Sequence, residues 1–234
     1  MEGRSDLRFE KAGTAADLLR ILQAEWVDSR QSCALIQAPK VIHKPTLPFT
    51  ADEFQRILSA CERYGDNYGR LGRENATRLR ALTLLLRYSG LRIRDAVCLP
   101  KKKLKGNRLF LYTQKTGVPV FVPLPQFVVD ELHSLPRVGA EYFFWSGNGK
   151  PKSVVSDWQR SFRKLFRIAQ IAGHPHRFRD TFAVELLLAG VPLDQVSVLL
   201  GHSSIKVTEK HYAPWVKTRQ DQLEDAVRRT WKLQ

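Results

Sequence analysis

Apolar residues recur at helical spacing along most of this chain and at strand spacing in one stretch only. In residues 14–27 Ala16, Leu19, Ile21, Leu22 and Trp26 share a helical rhythm, which predicts a helix. Three prolines in residues 39–48 then predict an extended linker. Thr50 followed by Glu53 forms a capping-box pattern that starts a helix through about residue 63. Residues 75–89 are a strongly apolar helix stopped at Gly90, and a short helix follows near Arg92. Residues 108–123 change rhythm: two β-favouring runs flank Lys115-Thr116-Gly117, the pattern of a hairpin. Helical spacing returns at 125–135, 154–172, 177–189, 193–200, 205–213 and 219–232. In the last of these Leu223, Ala226, Val227 and Trp231 lie on one face. No internal repeat or low-complexity segment interrupts the pattern. The pattern predicts a mostly α chain with one small antiparallel β-sheet, an α+β fold. It also divides the chain into a short N-terminal helical segment (1–40), a linker (41–48) and a single larger domain (49–234).

Charge adds the first functional constraint. The 234 residues carry 38 Lys and Arg against 23 Asp and Glu, a formal charge of +15, so polyanions are the expected partners. With 43% hydrophobic residues the chain has material for a core, which excludes a wholly disordered protein. Cys33, Cys61 and Cys98 are odd in number and widely spaced, so neither a disulfide framework nor a zinc site is expected. The charged N-terminus lacks an apolar signal run, and no stretch is long enough for a membrane span. A cytoplasmic, nucleoid-associated protein is the expectation.

Four clusters can carry chemistry. Gly90-Leu-Arg-Ile-Arg-Asp95 places Arg92 and Arg94 two apart, so a helix can turn only one of them inward. Arginine suits a phosphate because its planar fork donates two hydrogen bonds and keeps its charge. Asp95 shares a helix face with Arg92 and is positioned to hold that guanidinium. Lys115 stands in the hairpin turn. Nearby Lys101, Lys102, Lys103, Lys105 and Arg108 have the character of phosphate contacts. His176 and Arg179 are three apart and share a face, with Arg177 between them, and His can also move a proton near neutral pH. His174 and His176 form no metal site, because no cysteine or carboxylate cluster completes a ligand set. The fourth cluster runs from Gly201-His202 to His211-Tyr212. Each cluster alone has an ordinary structural explanation.

Taken together and in order, Arg, Lys, His-x-x-Arg, Gly-His and Tyr resemble the tyrosine recombinase (phage integrase) family. GLRIRDA is similar to its first-arginine box, HRFRDTFA to its His-x-x-Arg box, and LLGHSSIKVTEKHYA to its final histidine and nucleophile box. The resemblance spans about residues 46–216 and implies the integrase catalytic core fold for the main domain, acting on double-stranded DNA. It implies that Arg92 and Arg179 clamp the scissile phosphate. Lys115 would protonate the leaving 5′ oxygen, His176 would assist proton transfer, and His202 would donate to a non-bridging oxygen. Asp95 would orient the first-arginine region, and Tyr212 would form a covalent 3′-phosphotyrosine. Fixed cationic donors can meet the charge that builds on the phosphate, so neither a metal nor a nucleotide cofactor is expected.

Three departures accompany the resemblance. Tyr212 follows His202 by ten residues, where nine is usual. Asp180 stands where many members carry a basic or imidazole group. Some 40 residues precede the linker, where the family usually has a helical DNA-clamping domain of about one hundred residues. Besides site-specific recombination, the sequence therefore leaves open a DNA-binding remnant or regulator, and a type IB topoisomerase-like nicking and rejoining enzyme. The amphipathic helix after the nucleophile box resembles the one that recombinases dock into a neighbouring protomer, which implies self-assembly on DNA through the C-terminal helix; the alternative is packing on its own domain.

Overall fold

The computed structural model describes residues 47–66, 69–136 and 139–231. The helix expected at 14–27 and most of the linker lie outside them.

Helix α1 (Ala51–Arg63) begins as the capping box requires. The Thr50 hydroxyl accepts from the Glu53 N–H at 3.1 Å, and the Glu53 carboxylate accepts from the Thr50 N–H at 2.9 Å. Helix α2 (Gly69–Ser89) starts earlier than its apolar pattern does. Its first turns are polar, so periodicity misses them, and the Arg78–Glu74 pair one turn apart supports them. After the short helix α3 (Ile93–Val97) and a 3₁₀ turn over Lys101–Lys103, three strands follow: β1 (Leu104–Lys105), β2 (Arg108–Tyr112) and β3 (Pro119–Pro123). They pair antiparallel in chain order, so the expected hairpin gains a short third strand. Leu109 opposes Val122 and Leu111 opposes Val120, all four buried. Period-2 alternation therefore sets which face meets the core.

Helix α4 (Gln126–His133) leads to α5 (Pro151–Ala169), whose start is set by a proline in the first turn, where its missing N–H has no cost. Helices α6 (His176–Leu188) and α7 (Leu193–Leu199) follow. The main core joins α1, α2, α5, the inner sheet face and Phe178 of α6. A smaller cluster joins α6 and α7 to Tyr212.

The C-terminal region departs from expectation. The two helices expected at 205–213 and 219–232 are one continuous helix, α8 (Ile205–Thr230), with Pro214 inside it. The proline removes one backbone donor. Tyr212 and Trp215, on either side of it, both pack on the α6–α7 cluster and keep the helix on course. Beyond them Leu223, Val227 and Trp231 are exposed. Among the described residues no helix is long and apolar enough to cross a membrane.

Candidate active site

Two arginines are set by the end of α2. Gly90 stops that helix with φ +62, and a Cβ there would lie 2.4 Å from the Phe182 ring, so both conformation and space require glycine. The Gly90 carbonyl then accepts from Arg179 Nη1 at 2.7 Å, and the Leu200 carbonyl accepts from Arg179 Nη2 at 2.6 Å. Arg179 is thus a buried clip between the ends of α2 and α7. Burial, then the neighbouring Arg92, lowers its pKa to about 10, which leaves it a cation at neutral pH. Arg92 caps the start of α3, and its Nη1 is buried without a hydrogen-bond partner. An unpaired buried guanidinium N–H is costly, and an anionic oxygen is the partner that best relieves it. Arg94, two residues on, is exposed and lines the same cleft as Arg92.

Lys115 is exposed on a turn that is held from both sides. On one side the buried Asp95 carboxylate accepts from the Gln114 N–H at 2.8 Å. This corrects the expectation that Asp95 grips Arg92: its hydrogen bond goes to the hairpin backbone. Burial raises the Asp95 pKa, while the Gln114 N–H and then Arg92 oppose the rise. On the other side the Thr116 hydroxyl donates to the Gly201 carbonyl at 3.0 Å. Gly201 has φ +59, and a Cβ there would meet Val120 at 2.6 Å and Thr113 at 2.8 Å. The turn that follows α7 therefore presses directly on the hairpin.

His202 follows that glycine. Its Nδ1 lies 2.7 Å from the buried Thr208 hydroxyl. Burial lowers its pKa to about 3, with Arg179 and Arg92 adding to the effect, so the imidazole is neutral at physiological pH. His176 stands at the start of α6, and its Nε2 is 3.7 Å from Asp180 Oδ1. The same oxygen accepts from the Tyr212 hydroxyl at 2.8 Å. Tyr212 is 2% exposed, and burial followed by Asp180 puts its pKa well above the ordinary tyrosine range.

A cleft of about 540 Å³ opens over Arg92, Lys115 and His176, with Gln114, Gln159 and His174 on its walls. A second hollow shares Asp95 and Gln114 with it and reaches Lys103. Of the other basic residues, Lys102, Lys105 and Arg108 are exposed. Lys101 donates to the Gly139 carbonyl at 2.9 Å, and Lys103 sits over the Phe110 ring at 5.4 Å. Arg177 requires correction as a DNA contact. Its guanidinium donates to the carbonyls of Leu47, Ala172 and Pro48 and to the Glu53 carboxylate, and lies 4.2 Å from the Phe49 ring centroid. Those bonds leave it little donor capacity and tie the chain entry to α6. No group of His, Cys, Asp or Glu suited to a metal ion occurs among the described residues. The sequence reading missed Thr116 and Thr208, which position the neighbours of the candidate groups; a threonine beside a lysine or one turn into a helix carries no signal of its own.

Residues 48–218 match the model of the phage integrase family. The tyrosine recombinase XerD of Rhizobium meliloti (strain 1021) is 27% identical over 203 residues, which cover 81% of this chain and 64% of that protein. The chain thus spans less than two thirds of that relative. In fold it is similar to the XerA recombinase, with TM-score 0.58 and 20% identity over 82% of this chain and 67% of that one. It is similar also to a lambda integrase dimer bound to a COC′ core site, with TM-score 0.57 and 19% identity over 76% of this chain and 51% of that one. A family match over most of the chain, on a fold shared with both recombinases, leads to one assignment: the chain belongs to the phage integrase family.

Proposed function

We propose that this chain cleaves and rejoins double-stranded DNA in site-specific recombination, through a covalent 3′-phosphotyrosine link at Tyr212. The observation that carries the reading is the unpaired, buried Nη1 of Arg92, in a cleft that also holds Lys115 and His176 and lies beside Arg179. A scissile phosphate set there receives donors from Arg92 and Arg179 where charge grows during transfer. In the tautomer whose Nδ1 accepts from the Thr208 hydroxyl, 2.7 Å away, the neutral His202 carries its proton on Nε2 and donates to a non-bridging oxygen. His176 assists proton transfer. Tyr212 gives its phenol proton to His176, its oxygen bonds to phosphorus, the bond to the 5′ oxygen breaks, and Lys115 gives that oxygen a proton. One phosphoester replaces another, so the step reverses for rejoining. Lys102, Lys105 and Arg108 are exposed cations suited to flanking phosphates. The family membership and the DNA-bound integrase neighbour support duplex DNA as the partner.

Self-assembly through α8 belongs to the same reading. Leu223, Val227 and Trp231 are 48%, 52% and 67% exposed on one stripe of that helix, and a second copy gathered on DNA is the partner that would bury them.

A library of nicked suicide duplexes with a randomised core tests the function. The protein is expected to trap itself covalently on a subset of sequences, and Tyr212→Phe to abolish trapping while binding persists. Binding without any covalent product from the unmodified chain would contradict the reading.

A further inference from the structure

The hydroxyl assigned to the attack is not offered to the cleft. It is buried and donates to Asp180, a carboxylate that is itself 3% exposed. We propose that Asp180 is a latch on the nucleophile, holding the Tyr212 phenol protonated within the α6–α8 interface until DNA draws it out. The inference rests on Tyr212 being the nucleophile.

Three observations carry it. The first is the bond itself: the buried phenol donates to a buried carboxylate oxygen, so its proton is engaged there and its oxygen is turned away from the cleft. A fixed negative charge at 2.8 Å also opposes formation of phenolate. The charged and titratable groups around the phenol are Asp180, Arg179 and His176 on α6, Arg92 at the start of α3, His202 before α8 and His211 on α8 itself. Arg179 and Arg92 favour ionisation but are outweighed by burial and Asp180. The second observation is a replacement partner. His176 Nε2 stands 3.7 Å from the same carboxylate oxygen. Burial lowers its pKa, so it becomes a cation by taking up the phenol proton, and it can then close on Asp180 as the phenol leaves. The carboxylate is then not stranded as an unpaired buried charge. The third is Pro214, two residues beyond Tyr212, which deletes a helical hydrogen bond within the turn that carries the phenol. A shift of Tyr212 is least costly there. Asp180 is on this account a positioning residue: it touches the nucleophile but not the phosphate, and it sets how often the phenol is released.

The test uses Asp180→Asn, which keeps the shape and an oxygen acceptor and removes the charge. Tyrosine ¹³Cζ NMR follows ionisation of the DNA-free protein, with the Tyr212 signal assigned by its loss in Tyr212→Phe. Trapping rates on a reactive suicide duplex are followed from neutral to alkaline pH. In Asp180→Asn the phenol is expected to ionise about 1–3 pH units lower than in the unmodified chain. Trapping at neutral pH is expected to quicken by about tenfold for each unit. Asp180→Ser, checked for folding by circular dichroism, is expected to move both readouts in the same direction. An unshifted titration in both variants overturns the latch. So does a folded Asp180→Asn that no longer traps DNA, since Asp180 would then be required for the step it is said to restrain. If the unmodified chain forms no adduct at any pH, the recombinase reading fails instead, and the titration still decides whether Asp180 governs the phenol.

Discussion

The Thr116 hydroxyl donates to the Gly201 carbonyl across 85 residues of sequence, joining the turn that carries Lys115 to the turn that carries His202. Thr113, 2.6 Å from the same Thr116 hydroxyl, buttresses the contact. Thr116→Val removes both bonds and frees the Lys115 turn. Each such bond is worth about 1 kcal/mol, so covalent trapping is expected to slow by about ten- to thirtyfold with little change in DNA affinity. Gly201→Ala is the harsher change, because its Cβ would meet Val120 and Thr113 in a left-handed backbone. It is expected to cost about 2–4 kcal/mol in denaturant unfolding, the sum of overpacking and backbone strain.

Arg177 separates structure from DNA contact within one motif. Arg177→Ala leaves Glu53 and three backbone carbonyls without their shared donor. A stability loss of about 2–3 kcal/mol is expected, below that of a fully buried pair, because both side chains are partly solvated. Lysine cannot reproduce the fork, so Arg177→Lys is expected to restore less than half. The salt dependence of DNA binding is expected to be unchanged in both variants, measured by titration at several salt concentrations.

Stability is expected to fall at both ends of the pH range, for opposite reasons. His202 has its pKa lowered from 6.5 to about 3, so between those values the unfolded chain binds a proton that the folded chain refuses. Stability therefore drops as pH falls through this window. Asp95 works against that trend close to its ordinary 3.8, because burial raises its pKa and the folded chain takes up its proton first. Tyr212 has a raised pKa, so above pH 10 the unfolded phenol ionises while the folded one does not, and stability falls again. In chemical unfolding across pH, His202→Gln is expected to flatten the acid limb and Tyr212→Phe the alkaline limb.

Phosphate contacts predict a salt signature. Replacing Lys105 or Arg108 by Gln is expected to weaken binding to all duplexes alike and to reduce the log–log salt slope by about one per residue. A loss confined to particular sequences would instead make that residue a base reader.

Much of the fold was legible because local rules governed it. Thr50 and Glu53 specified the start of α1, and the alternation of Leu109, Leu111, Val120 and Val122 specified the sheet's inner face. The single α8 was not legible: Pro214 is a strong local stop, and the packing of Tyr212 and Trp215 that overrides it is tertiary. The candidate groups were legible through their order along the chain. Their partners were not, because Gln114, Thr116, Thr208 and Asp180 act through contacts that residue type alone does not announce. Arg177 shows the converse. In sequence it looks like one more cation of a DNA-binding motif, and only its four acceptors reveal a staple.

The claim that Tyr212 makes the covalent bond is tested most directly by sequencing the linked peptide. The trapped complex is digested with protease and nuclease, and the nucleotide-bearing peptide is fragmented by mass spectrometry. The predicted result is a 3′-phosphate ester on Tyr212, with a free 5′-hydroxyl on the released strand. A link on His211 or any other residue, or a bond to the 5′ end, would contradict it.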